Sequence, residues 1–135
     1  MSNKSPRIIS AEPAGGGIIA LSWTDGTSCN LDLSGSLPPG APVIEDHGYT
    51  LAFAGAEVEF SSPDLIKRAA WQDGRSPTPE AFRAWRKRVG LTQEQLADMF
   101  DLSRRTIGYY EDGTLLVPRV VALAMLGYET EKSAA

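Results

Sequence analysis

"TQEQLADMFDLSRRTIGYYEDG", residues 92–113, is the stretch on which the reading of this chain turns. Thr92, with Gln95 three residues later, is a capping-box signature that opens a helix. Leu96, Ala97 and Phe100 recur at helical spacing and give that helix one buried side. Ser103 is a good N-cap for the next helix, where Ile107 and Tyr110 face inward and Gly113 ends the run. This second helix breaks two rules. It opens with Arg104 and Arg105, cations at the pole of a helix that already carries partial positive charge. It also holds Gly108 mid-helix, which costs about 1 kcal/mol relative to alanine.

The same period extends outward on both sides. Upstream, Thr78 caps a helix with Pro79 at its first position; Phe82, Trp85 and Val89 share one face, and Gly90 ends it. Downstream, Pro118 starts a fourth helix that runs to about Tyr128. Two apolar stripes lie on it at 100° per residue. Leu116, Val120 and Leu123 form the stripe expected to face the helical core. Val117, Val121, Met125 and Tyr128 form a second, and a core this small cannot cover both. The second stripe is therefore expected to pack on the other half of the chain or on another copy.

Before about residue 75 the period is two. Ile8 and Ile9 suggest a first strand. Ile19, Leu21 and Trp23 alternate with smaller or polar residues, "TDGT" at 24–27 is a hairpin signal, and Cys29, Leu31 and Leu33 alternate after it. "GSLPPGAP" at 35–42 reads as a loop. Leu51 with Phe53, and Val58 with Phe60, flank an Ala-Gly turn, and residues 61–71 read as one capped helix. "QDGRSPTP" at 72–79 reads as a linker. The expected organisation is α+β: a small, mostly antiparallel sheet domain with one helix over residues 1–73, then an all-α domain of about four helices over 74–135.

Charge follows the same division. The chain of 135 residues has net charge -4, with 13 basic and 17 acidic residues. Five basic and nine acidic residues lie within 1–75, against eight of each within 76–135. Residues 83–105 hold six basic residues against Glu94, Asp98 and Asp101. An overall acidic chain is not a basic nucleic-acid coat protein or a polybasic membrane anchor. One cysteine, Cys29, makes no internal disulfide, which suits a cytoplasmic setting. No apolar run reaches the roughly 20 residues of a membrane span, and no secretory h-region opens the chain.

Catalysis has little footing. His47 is the only histidine. "EDH" at 45–47 reads as a hairpin turn rather than a metal site. No paired-cysteine or His-Glu-x-x-His spacing supplies zinc ligands. Nothing resembles a nucleophile elbow. The glycines at 15–17 lack the strand-to-helix context of a phosphate loop. The expectation is no enzyme, no metal and no cofactor.

"FRAWRKRVGLTQEQLADMFDLSRRTIGYYEDG", residues 82–113, resembles the helix-turn-helix of the Cro and lambda-repressor type, the XRE-like family. The features that coincide in order are the Arg-rich first helix, Gly90-Leu91-Thr92-Gln93, Leu96-Ala97, Ser103, Thr106-Ile107 and Glu111-Asp112-Gly113. Asp101 stands where a turn glycine is usual, and Asp tolerates the left-handed region. The first half, through "WTDGT" and "DLS", resembles a small bacterial domain of unknown function that is sometimes joined to such a helix-turn-helix.

The resemblance implies a sequence-specific DNA-binding transcriptional regulator, read here as a repressor, acting on double-stranded DNA as a homodimer. It answers the two broken rules: arginines at that pole face a polyanion, and Gly108 leaves room for a close approach. Arg104, Arg105 and Tyr109 fall at base-contacting positions of the family pattern. Gln93, Thr92, Ser103, Thr106 and Lys87 fall at positions that touch the DNA backbone. Arg86 and Glu111 match a structural ion pair. Val117, Val121, Met125 and Tyr128 become the candidates for the dimer interface. The alternative is an antitoxin-like protein whose first domain binds a protein partner, with DNA binding secondary.

Overall fold

The computed structural model describes residues 6–134. It shows two small antiparallel sheets followed by helices, an α+β chain in two compact units, Met1–Gln72 and Asp73–Ala135.

In the first unit, strands β1 (Ile8–Gly15), β2 (Ile18–Trp23) and β3 (Ser28–Asp32) form one sheet in sequential order. β2 and β3 are joined by the "TDGT" hairpin, which brings Ser22 opposite Ser28. Asp25 holds that turn, its carboxylate accepting from both the amide and the hydroxyl of Thr27 at 2.9 and 2.6 Å. The strict alternation puts Ile19, Leu21, Trp23, Leu31 and Leu33 inside.

The second sheet is β4 (Pro42–Glu45), β5 (Thr50–Phe53) and β6 (Glu59–Ser61), again in order. β4 was not expected from the sequence. Its two apolar residues, Val43 and Ile44, are adjacent and follow a proline, so no alternation announces them. A three-residue 3-10 turn, Asp46–Gly48, joins β4 to β5, and its residues have φ of 53°, 57° and 97°. Gly48 has a second constraint: a Cβ there would lie 2.7 Å from the carbonyl oxygen of Ile8. Phe53 and Phe60 meet edge to face, centroids 6.2 Å apart.

Helix α1 (Ser62–Gln72) closes this core with Leu65, Ala69 and Ala70. Its last residue reaches back to the sheet. The Gln72 side-chain amide donates to the carbonyl of Asn30 at 2.8 Å and accepts from the amide of Asp32 at 2.7 Å. Those are backbone groups on the free edge of β3.

The second unit holds α2 (Pro79–Arg88), α3 (Gln93–Phe100), α4 (Arg104–Asp112) and α5 (Arg119–Ala134). Thr78, Thr92 and Ser103 cap the first three, each side chain accepting from a backbone amide three residues on, and Thr92 with Gln95 completes a capping box. Asp101 ends α3 in the left-handed region at φ 58°, ψ 44°. The core is Phe82, Trp85, Leu96, Ala97, Ile107 and Tyr110. Ser76, 4% exposed, ties the segment before α2 to the segment before α5, its hydroxyl bonding both the amide and the carbonyl of Val117 at 3.1 Å.

The two stripes of α5 exchange the places assigned from the sequence. Val117, Val121 and Met125 are buried in the helical core, with Tyr128 packed against them and edge-on to Trp85 at 6.1 Å. Val120 and Leu123, expected inside, are exposed. The larger side chains decide the helix's rotation. Met125 and Tyr128 reach the aromatic group around Trp85, which the shorter stripe cannot fill. Those four residues are therefore core, not a free interface. The helix also continues to Ala134, beyond the expected end near Tyr128.

Candidate nucleic-acid interface

Three helices are tied together by one buried carboxylate. Glu111, near the end of α4, is 6% exposed. Arg86 of α2 donates to it twice, from Nε at 2.5 Å and Nη2 at 3.1 Å. Arg86 also donates from Nη1 to the carbonyl of Leu91 at 2.9 Å, and Gln93 of α3 donates from Nε2 to Glu111 at 3.1 Å. Arg83 donates to the Glu111 carbonyl at 3.2 Å and lies 3.8 Å from its carboxylate. Burial pushes the Glu111 carboxyl up, but hydrogen bonds from Arg86 and Gln93 and the charges of Arg86 and Arg83 hold it below the ordinary glutamate value. The same partner raises the pKa of Arg86.

This network sorts the six cations of residues 83–105. Arg83 and Arg86 serve Glu111, and Arg88 pairs with Glu129 at 2.7 Å. Among the described residues, Lys87, Arg104 and Arg105 have no carboxylate partner and are exposed. Lys87 and Arg104 border one shallow concavity of about 520 Å³ with Arg86, Thr92, Gln93 and Glu94. Glu94 is the one acid on that rim. The rest of it offers cations, a capping hydroxyl and an amide at the N-terminus of α3, chemistry that suits a phosphate.

On α4, Ile107, Tyr110 and Glu111 face inward and are buried. At 100° per residue, Arg105 and Tyr109 fall on the opposite side of the helix, about 40° apart. Arg105 is exposed and Tyr109 half-buried. Arg104, about 100° round the helix from Arg105 and toward the Glu111 side, lines the concavity. Ser103 and Thr106 are committed to the cap: Ser103 Oγ accepts from the Thr106 amide at 3.0 Å and shares a hydrogen bond with its hydroxyl at 2.9 Å. Gly108 has nothing of this chain within 4 Å of where a Cβ would stand, so no neighbouring helix demands it.

The sequence did not reveal that Gln93 helps to hold Glu111. Its spacing signals only the start of a helix. Gln93 thus spends one N–H on the network and keeps a second N–H and its carbonyl. Of the "EDH" residues, Glu45 ends β4 and Asp46 and His47 lie in the turn to β5, and among the described residues no group of three or more His, Cys, Asp or Glu could hold a metal.

A family model described as helix-turn-helix matches residues 82–124, and this part of the chain is a helix-turn-helix. Among solved structures, the chain is similar to NE0471 from Nitrosomonas europaea ATCC 19718, described as a "Putative DNA Binding Protein". The two are 24% identical, the match covers 96% of this chain and 90% of that one, and the TM-score is 0.48. No curated protein matches the chain. No helix among the described residues is long and apolar enough to cross a membrane.

Proposed function

We propose that this chain is a cytoplasmic, non-enzymatic DNA-binding regulator that represses transcription by reading the major groove with the N-terminal half of α4. The observation that carries this reading is the sorting of charge. Structure neutralises three of the six cations, and the three left over lie along the first turn of α4 and the rim beside it. A helix N-terminus in the groove presents such residues to base edges, where arginine can bond guanine O6 and N7 together. Arg104, Arg105 and Tyr109 carry base reading. Lys87, Thr92 and the free part of the Gln93 amide hold phosphate, and Ser103 and Thr106 shape the helix start beside the backbone. Residues 74–135 form the DNA-binding domain and 1–73 a separate sheet domain. The regulator acts as a homodimer on two half-sites.

Selection of bound sequences from random duplex DNA tests this, followed by two substitutions. Arg104→Ala costs about 1–3 kcal/mol on the selected site and relaxes preference at one base position. Lys87→Ala weakens all sequences alike and flattens the salt dependence. Equal losses on selected and random DNA for both variants would remove Arg104 from the groove. A sheet domain that instead captures one stoichiometric protein partner, with no sequence selected from the library, would favour an interaction protein.

A further inference from the structure

Two stretches of the first unit, the glycines at 15–17 and "GSLPPGAP" at 35–42, have no part in the DNA reading. In the fold they meet. The β1–β2 turn, the segment after β3 and the loop before β4 enclose a cavity of about 430 Å³. Ile19 and Phe53, 1% and 3% exposed, form its floor. Pro13, Gly16, Gly35 and Pro39 are exposed and stand at its mouth.

The walls are set before anything enters. Four prolines and four glycines line the cavity, and neither residue type loses rotamer freedom when a ligand covers it. The backbone between them is pinned. The Leu33 amide donates to the carbonyl of Gly17, and the Ala54 amide to that of Ala41, both at 2.9 Å. Gly40 packs so closely that a Cβ there would stand 1.9 Å from the carbonyl oxygen of Ala54. At Gly17 a Cβ would stand 2.8 Å from Cα of Ser34. A site held in shape in this way binds at a low ordering cost.

The lining also selects the chemistry of a ligand. Among the described residues that form it, none is charged. Ser34, the one polar side chain, donates its hydroxyl to Asp32 at 2.5 Å. An ion entering the cavity would shed water and find no partner. Proline rings and glycine peptide planes are flat, so they suit the faces of a ring better than a branched chain. The volume matches the bulk share of about 14 waters at about 30 Å³ each, room for a molecule of about ten non-hydrogen atoms. We infer that this cavity is a binding site for a small, uncharged, planar ring compound. The sheet unit is then a small-molecule receptor joined to the DNA-binding half.

Amide NMR spectra of the full chain, titrated with indole to its solubility limit, test the site. Indole shifts the amides of Gly16, Gly17, Gly35 and Gly40 saturably and with one dissociation constant. Indole-3-acetate has the same ring but carries a carboxylate, and it binds on the order of tenfold more weakly or worse. Pro39→Trp sets a large ring at the mouth, where it competes for the cavity and weakens indole on the order of tenfold or more. Its amide spectrum away from the loop stays native, which shows that the fold is kept. Shifts that do not saturate, or that map elsewhere on the chain, overturn the proposal whatever the variant does. So does indole-3-acetate binding as tightly as indole, or a folded Pro39→Trp chain binding indole as the native chain does. Duplex binding is read separately, since no residue of the cavity lies in the helical unit.

Discussion

Removing the Glu111 carboxylate tests the central joint of the helix-turn-helix. Its partner Arg86 has a side chain only 12% exposed and directs two of its donors at that carboxylate. In Glu111→Ala the guanidinium keeps one described bond, to the Leu91 carbonyl at 2.9 Å. Breaking one partner of a buried pair costs about 3–5 kcal/mol. The lower end applies, about 3 kcal/mol, because that one bond and a little solvent remain. Removing both charges, Arg86→Met with Glu111→Leu, leaves no buried charge unpaired, although the Gln93 amide and the Leu91 carbonyl each lose a partner, and recovers part of the loss, so the two single costs do not add. The measurement is urea unfolding followed by the helical circular-dichroism signal, run as a double-mutant cycle. Acid adds a second readout. The folded Glu111 carboxyl titrates below the ordinary glutamate value of 4.5. The native form therefore binds fewer protons, and the pair's contribution is full above that value and is lost as pH falls through the lower folded value. Glu111→Gln abolishes that acid-dependent component. Single costs under about 1 kcal/mol, strict additivity in the cycle, or an unchanged acid slope in Glu111→Gln would refute the joint.

Two further expectations concern helix faces. Val121→Glu puts a charge into a core where Val121 is 7% exposed, so it unfolds the helical unit, seen as lost helical signal, and does not yield a folded monomer. Gly108→Ala meets open space, so it raises stability by up to about 1 kcal/mol in urea unfolding while lowering affinity for the selected DNA site; unchanged affinity would show that the groove does not use the space at Gly108.

Local rules made much of the fold legible. Period-two alternation placed Ile19, Leu21 and Trp23 inside, and "TDGT" named its turn. The caps Thr78, Thr92 and Ser103 marked three helix starts, because a side chain three residues from its amide partner is a local event. The rest depends on groups distant in sequence. β4 has two apolar residues and no alternation, so only its pairing with β5 makes it a strand. α5 is apolar on both sides, so its sequence leaves the rotation undecided, and the aromatic ring of Trp85 settles it from 43 residues away along the chain, through Tyr128. The Arg86–Glu111 pair was anticipated through a family pattern, whereas the bond from Gln93 to the same carboxylate was not, since no spacing rule relates residues 18 apart.

Gln72 has a consequence beyond the sheet it touches. An edge strand is a template for any passing extended chain, because its amides and carbonyls point outward unpaired. Here one side-chain amide stands in for the peptide group that a fourth strand would bring to Asn30 and Asp32. It works as a stopper on the growth of the sheet, made by the last residue of α1. The same two bonds moor the last residue of that helix to β3. One glutamine thus guards the sheet against recruitment by other chains and pins the end of the helix that closes its core.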